Sequence, residues 1–137
     1  MKPELRSAYR QSLSSAKSKY RAGNHDAAFS DLETAHVLGQ QFLLPHITVH
    51  VWMLRVSAAR QDNREIRGQI VRLAATVPGF LVGWVPLGNT GGANVSALKP
   101  MPVPGSLAGL VPKPDMVRQL SIRLISLIGI LLILQAF

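Results

Sequence analysis

The side chains best suited to bind a metal are concentrated in one part of this 137-residue chain. All four histidines fall within one short stretch, namely His25, His36, His46 and His50. Five of the seven acidic residues lie in or just beyond it: Asp26, Asp31, Glu33, Asp62 and Glu65. Because the chain has no cysteine, imidazole and carboxylate groups are what it can offer to a borderline divalent ion.

The spacing of these residues predicts two helix faces that carry metal ligands. Glu33 and His36 are three residues apart, so they share a face of one helix. His46 and His50 are four residues apart and share a face of the next. If the helices pack together, three nitrogens and one oxygen meet, which suits tetrahedral zinc or a similar divalent ion. Glu65 is a fifth candidate, as a ligand or as an acceptor for a ligand's outer N–H.

Simpler roles are open for the same residues. A histidine pair four residues apart arises by chance, and His36 and His50 also suit a hydrogen-bonded core. His46 lies near a predicted helix start, where a local hydrogen bond would satisfy it. His25 follows a turn and is expected at the surface. The second Glu-x-x-His motif of di-iron bundles and the His-Glu-x-x-His motif of metalloproteases are absent from the sequence.

Other kinds of chemistry find little support, and whether the chain is an enzyme stays open. The lack of cysteine excludes disulfides, thiolate metal sites and thiol nucleophiles. No Ser/His/Asp arrangement is recognisable from spacing. The Gly-Asn-Thr-Gly-Gly sequence at residues 88–92 has no P-loop lysine and no dinucleotide-binding frame, so a tight turn is the favoured interpretation over an anion site.

Apolar periodicity predicts the elements that would position the candidate ligands. It indicates four amphipathic helices, over residues 3–22, 25–39, 45 to about 61, and 62 to about 78. Pro45 suits the first turn of the third helix. Asp62 caps the fourth, with Glu65 at the capping-box position, and Pro78 closes it. We therefore predict an all-α fold of two antiparallel helical hairpins.

Two further segments differ in amino-acid composition from these helices. Glycine and proline recur between residues 78 and 114, which predicts an irregular wrap over the hairpins. Residues 124–137 carry no charge and predict a C-terminal apolar helix, shorter than the roughly 20 residues that span a bilayer. A short membrane anchor, a helix docked in the fold or in an oligomer, and a non-native extension are the three interpretations. We expect a domain at residues 1–110 and a hydrophobic tail at 111–137.

The charge of +8 raises the question of polyanionic partners. Aromatic residues do not interleave with the basic ones, which argues against nucleic acid as a partner. A membrane contacted by the tail, a second copy and another protein are the expected alternatives. The first residues do not form a secretory signal. The lack of cysteine fits a cytoplasmic location, with attachment to the inner membrane through the tail as an option.

Parts of the chain resemble two known families. Residues 20–29, followed by Leu32 and Ala35, resemble the helix junction of tetratricopeptide repeats, although the chain has room for two hairpins at most. A wider set of segments resembles a small bacterial family known as domain of unknown function 3703: residues 32–40, His46, His50, Met53, and residues 65–69, 85–96 and 99–102. That resemblance implies that the histidines and the glycine-rich turn form one unit, and it implies no mechanism.

The sequence thus supports two functional hypotheses. One is a small metal-binding protein, enzymatic or accessory, with Glu33, His36, His46 and His50 as ligands and Glu65 in support. The other is a non-catalytic helical-repeat interaction module, attached to a membrane or oligomeric through its tail. Convergence of the His36, His46 and His50 imidazoles to within about 4–5 Å would favour the first, because ligand bonds to one ion are only about 2 Å long.

Overall fold

Helices account for most of the structure. The computed structural model describes residues 1–113 and 116–135, and this part of the chain contains no strand. The helices are α1 (Pro3–Arg21), α2 (His25–Gly39), α3 (Leu43–Ala59), α4 (Asn63–Leu81), α5 (Gly105–Ala108) and α6 (Met116–Gln135). The predicted all-α fold, with its two hairpins, its irregular wrap and its C-terminal apolar helix, is confirmed.

The first four helices form the two hairpins. α1 packs on α2 and α3 packs on α4, while contacts between α2 and α3 join the hairpins into one core. Leu5, Leu32, Val49 and Met53 are among the fully buried side chains of that core. The contact between α2 and α3 matters most for the chemistry, because it brings together the two helices that carry the candidate histidines.

Local signals fix the starts of α2 and α4, and of these the Asp62 cap was predicted from the sequence. Gly23 adopts a left-handed conformation, with φ of +77°, in the turn between α1 and α2. The side chain of Asn24 then accepts a hydrogen bond from the Ala27 N–H, at 3.3 Å. Asp62 accepts one from the Glu65 N–H, at 3.0 Å.

The predicted end of α4 at Pro78 was wrong. The helix passes through Pro78 and Gly79 and ends at Leu81. Proline removes one N–H from the helical pattern, but its carbonyl still accepts from the Val82 N–H, at 3.0 Å, so one more turn survives. That extra turn places Phe80 beside His46, with ring centroids 5.8 Å apart.

The glycine- and proline-rich wrap is tied to the hairpins by side chains that bind backbone carbonyls. The guanidinium of Arg72, on α4, donates to the carbonyls of Gly92, at 2.8 Å, and Val95, at 2.6 Å. Within the wrap, the buried amide of Asn89 donates to the carbonyls of Ser96, at 2.7 Å, and Lys99, at 2.9 Å. These bonds order the part of the wrap between α4 and α5, which contains no helix or strand.

α6 lies against the end of α4 without burying its apolar surface. Ser126 donates to the Leu81 carbonyl, at 2.6 Å, and Arg123 donates to that of Gly83, at 3.3 Å. Large apolar side chains remain exposed along the helix, including Leu120, Leu124, Ile125, Leu131 and Leu132. Docking within the fold therefore does not cover the tail, whose residues 114, 115, 136 and 137 lie outside the described residues. Within residues 1–113 and 116–135, no helix is both long and apolar enough to cross a membrane.

Candidate metal centre

Three imidazoles converge where α2 packs against α3. His36 comes from α2, and His46 and His50 come from successive turns of α3. The ring centroids are 4.7 Å apart in each of the three pairs, so the rings surround a common point. The Nε2 atom of His50 lies 3.0 Å from that of His46 and 3.2 Å from that of His36. We call these three residues the histidine triad, and all three are buried.

The outer nitrogen of His36 is held by the wrap. Its Nδ1 lies 2.7 Å from the carbonyl oxygen of Asn89. A carbonyl can only accept, so Nδ1 carries the proton and the Nε2 lone pair points toward the centre of the triad. Gly91 packs against the same imidazole, where a Cβ atom would come within 2.7 Å of the ring. With φ of +83° as well, position 91 requires glycine.

The outer nitrogen of His50 is held by α4. Its Nδ1 lies 2.6 Å from Oε1 of the buried Gln69. The Gln69 amide nitrogen donates to Oε1 of Glu65, at 2.6 Å, and to the carbonyl of Gly91, at 2.8 Å, which fixes Oε1 as the atom facing His50. His50 must therefore donate from Nδ1, and its Nε2 lone pair also points inward. Glu65 accepts from the Ala93 N–H with both carboxylate oxygens, at 2.9 and 2.8 Å.

Because the outer nitrogens of His36 and His50 carry the protons, too few protons remain for hydrogen bonds among the three inward Nε2 atoms. His36 and His50 present lone pairs to each other, and a neutral His46 has one proton to share between them. A cation at the centre would satisfy all three nitrogens. A tetrahedral ion with metal–nitrogen bonds of about 2.0–2.1 Å keeps its ligands about 3.3 Å apart. Two of the Nε2 separations, 3.0 and 3.2 Å, are close to that value, and the ligand atoms of all three histidines lie within 4.8 Å of one another.

The surroundings keep the imidazoles neutral, which is the form that binds metal. Burial, with the neighbouring His50 and His46, holds the pKa of His36 well below its usual range. Burial and His50 lower the pKa of His46 to about 3. Burial and the nearby Arg72 guanidinium lower the pKa of His50 to about 4, against the opposing effect of the Gln69 hydrogen bond.

His46 is the least restrained member of the triad. Its Nδ1 is buried and has no hydrogen-bond partner among the described residues. Its ring packs beside Phe80 on the last turn of α4. The rings of His36 and His50 are therefore fixed by polar partners, whereas that of His46 is placed by packing and by its position one turn before His50.

The structure separates both glutamates from the triad. In the described part of the chain, the convergent group of metal-ligating residues is His36, His46 and His50, with no carboxylate in it. Glu33 faces the glycine turn instead, where its Oε1 would lie 3.3 Å from a Cβ atom at Gly92. Burial raises the pKa of Glu33, and the Glu65 carboxylate raises it further. Glu65 accepts from the Gln69 amide nitrogen, and it is the Gln69 amide oxygen that accepts from His50 Nδ1, so Glu65 acts on the triad only through Gln69.

A cavity of about 330 Å³ opens directly onto the triad. Its walls are mostly apolar and come from the end of α4 and from the wrap: Ala75, Pro78, Phe80, Val82, Trp84, Val85, Pro86, Ala97 and Leu98. Arg72 and Thr76 are polar residues in the same lining. Three protein nitrogens leave one position of a tetrahedral ion free, and the cavity gives that position access to a small molecule.

Sequence reasoning did not find the residues that orient the triad. Gln69 follows Glu65 by four residues and therefore shares its helix face, a signal that could have marked it. Asn89 and Gly91 lie in the glycine-rich turn, whose residues favoured a tight turn over an anion site, and only the family resemblance implied that this turn and the histidines form one unit. Their actual partner is His36, and nothing in the local sequence indicates that contact.

The chain belongs to the family described as Protein of unknown function (DUF3703), whose model matches residues 3–111. The match spans the four long helices of the hairpins, the triad and the walls of the cavity, and it ends before α6. The resemblance seen in the sequence is thereby confirmed, while the likeness to tetratricopeptide repeats stays a prediction. No curated protein and no solved structure matches the chain significantly.

The lowered histidine pKa values predict that acid destabilises the metal-free protein. Between about pH 4 and the ordinary value of 6.5, the unfolded chain binds protons that folded His46 and His50 do not. The free energy of unfolding should therefore fall as pH drops below 6.5, by up to about 1.4 kcal/mol per pH unit for each histidine. Urea denaturation across this range measures the slope, and His50→Gln should reduce it. Equal stability at both ends of the range would contradict the prediction.

Proposed function

We propose that this protein binds one divalent transition-metal ion through the Nε2 atoms of His36, His46 and His50. The observation that carries the proposal is the orientation of His36 and His50. Asn89 and Gln69 hold their protons on the outer nitrogens and so direct two lone pairs at one point. Outer acceptors of this kind are typical of histidines that bind metals.

A core of hydrogen-bonded histidines is the competing explanation, and the proton count disfavours it. Buried polar groups are nearly always paired, because an unpaired one costs about 1–3 kcal/mol. Without a cation, the triad leaves one inward nitrogen unpaired in addition to the outer nitrogen of His46. One bound ion would accept the lone pairs of all three inward nitrogens, so none of them would remain unpaired.

The ligand chemistry favours zinc or a similar ion. Imidazole is a good ligand for zinc, copper, nickel and iron, whereas magnesium and calcium prefer oxygen. Structural zinc sites use four protein ligands, whereas catalytic sites commonly use three and keep one position open. The triad and its cavity fit the second pattern, so we favour a reactive or ligand-exchanging centre over a purely structural one.

Metal titration tests the proposal. Protein purified without a histidine tag and stripped with a chelator should bind one equivalent of Zn²⁺, and its melting temperature should rise, because the ion binds only the folded state. His50→Ala should abolish stoichiometric binding. His25→Ala is the matched control, since His25 lies outside the triad and packs beside Tyr20, and it should bind normally.

A substitution of Gln69, the acceptor for the outer nitrogen of His50, distinguishes a preorganised metal site from nonspecific binding by surface imidazoles. Gln69→Leu leaves all three ligands in place but removes the partner of His50 Nδ1, so zinc affinity should fall about 10- to 100-fold. Circular dichroism of each metal-free variant checks that its helices persist. No binding to the parent protein, or equal binding by His50→Ala, would refute the proposed function.

A second candidate function is association with another copy through α6, in residues 111–137. The exposed apolar surface of α6 is the observation that favours it, since Leu124, Ile125 and Leu132 are each more than half exposed, at 59%, 69% and 61%. A monomer in water rarely exposes a large continuous apolar patch. Pairing of two such helices would cover this surface without altering the hairpins.

Charged substitutions on α6 test that association. Leu124→Lys/Ile128→Lys should convert an oligomer to a monomer, since both side chains are exposed, at 59% and 48%, and contribute little to the monomer's core. Ser7→Lys/Ser14→Lys adds the same charge on α1, where both serines are exposed, and should leave the oligomer intact. Light scattering coupled to size exclusion gives the mass. A monomeric parent protein would disprove the association.

A further inference from the structure

We propose that the metal centre takes a small monoanion with an apolar body, of the class of short-chain carboxylates, as its fourth ligand. This inference rests on the proposed metal site and extends it to the kind of molecule that the site receives. Its basis is the juxtaposition of an uncompensated cation site with the apolar cavity beside it.

The charge balance at the site calls for an anionic donor. Three neutral imidazoles leave the two positive charges of a divalent ion uncompensated, and no carboxylate joins the triad within the described residues. Nearby, the Arg72 guanidinium and the Glu65 carboxylate are of opposite sign and offset each other. In a mostly apolar cavity, where screening is weak, an anion bound to the ion is strongly favoured over a neutral donor.

Arg72 is held rigidly at the wall of the same cavity. Its guanidinium donates to the carbonyls of Gly92 and Val95, and to that of Gly68, at 3.4 Å. It is fixed by the wrap and does not depend on a ligand for its position. Arg72 lines the cavity, but Glu65 offsets its charge, so the preference for an anionic head group comes from the bound ion.

The apolar lining of the rest of the cavity favours a ligand whose remaining part is apolar. A volume of about 330 Å³ lies at the small end of the range for ligand pockets, which are typically apolar with a few placed polar groups. Trp84 and Leu98 line it while staying 49% and 64% exposed, so apolar surface continues from the interior to the mouth. A bound alkyl or aryl chain would cover that surface.

Cobalt-loaded protein gives a direct test, because the visible spectrum of Co²⁺ reports changes among its ligands. Titration compares three probes: acetate has the anionic head, hexanoate adds the apolar body, and hexan-1-ol has the body without the charge. Each methylene moved from water to an apolar site improves binding roughly fourfold. We therefore expect hexanoate to bind at least about tenfold more tightly than acetate, and hexan-1-ol to leave the spectrum unchanged.

A cavity-wall variant locates the apolar contact. Leu98→Ser removes part of the wall at an exposed position, so it should weaken hexanoate binding at least about threefold while cobalt and acetate bind as before. Thr34→Ser, on the outer face of α2 away from the cavity lining, is a control that should leave the binding of cobalt, acetate and hexanoate unchanged.

The outcomes distinguish this inference from the proposed function. Failure to bind cobalt would overturn both. Normal cobalt binding with equal affinities for acetate and hexanoate would overturn the apolar-body inference alone, and a spectral response to hexan-1-ol matching that to hexanoate would overturn the requirement for an anion. In those last two cases the metal site itself would stand.

Discussion

The orientation of the histidine triad depends on two hydrogen bonds, which hold the protons of His36 and His50 on their outer nitrogens and away from the centre. The Asn89 carbonyl fixes the outer nitrogen of His36, and the Gln69 amide oxygen fixes that of His50. Each acceptor determines a tautomer, and each tautomer directs a lone pair inward. The two acceptors come from the wrap and from α4, so the proposed metal site between α2 and α3 needs the rest of the fold to orient its ligands.

This dependence explains why an irregular segment is so closely tied to the hairpins. Gly91 must lack a side chain to approach His36, and its carbonyl also accepts from Gln69. Glu65 completes the network by binding both Gln69 and the Ala93 N–H. The wrap is therefore one wall of the cavity and part of the hydrogen-bond network around the triad. Loosening it would release His36 and remove one of the two acceptors that hold Gln69 against His50.

Sequence reasoning succeeded where the information is local. Helix periodicity predicted the hairpins, and the four-residue spacing of His46 and His50 placed both on one face. The spacing of Glu33 and His36 was less decisive, because residues three apart differ by about 60° around a helix and can face different neighbours. His36 meets the histidines of α3 as well as the glycine turn, whereas Glu33 lies against the glycine turn at Gly92.

Contacts between distant parts of the chain could not be inferred in this way. Glu65 has the position of a capping-box residue, yet its carboxylate binds Ala93, 28 residues away. The contact of His36 with Asn89 spans 53 residues and joins a helix to an irregular segment. The cavity likewise depends on α4 continuing past Pro78, which a local rule for proline does not predict.

X-ray absorption spectroscopy of the zinc-loaded protein tests the three-histidine metal centre most directly, because it reports the atoms bound to the ion. Such a centre predicts a nitrogen and oxygen shell at about 2.0 Å, with the outer-shell scattering of three imidazoles and one further light ligand. His50→Ala should remove one imidazole from that pattern or abolish the signal. A coordination shell of oxygens without imidazole scattering, or a spectrum unaffected by His50→Ala, would contradict a three-histidine metal centre.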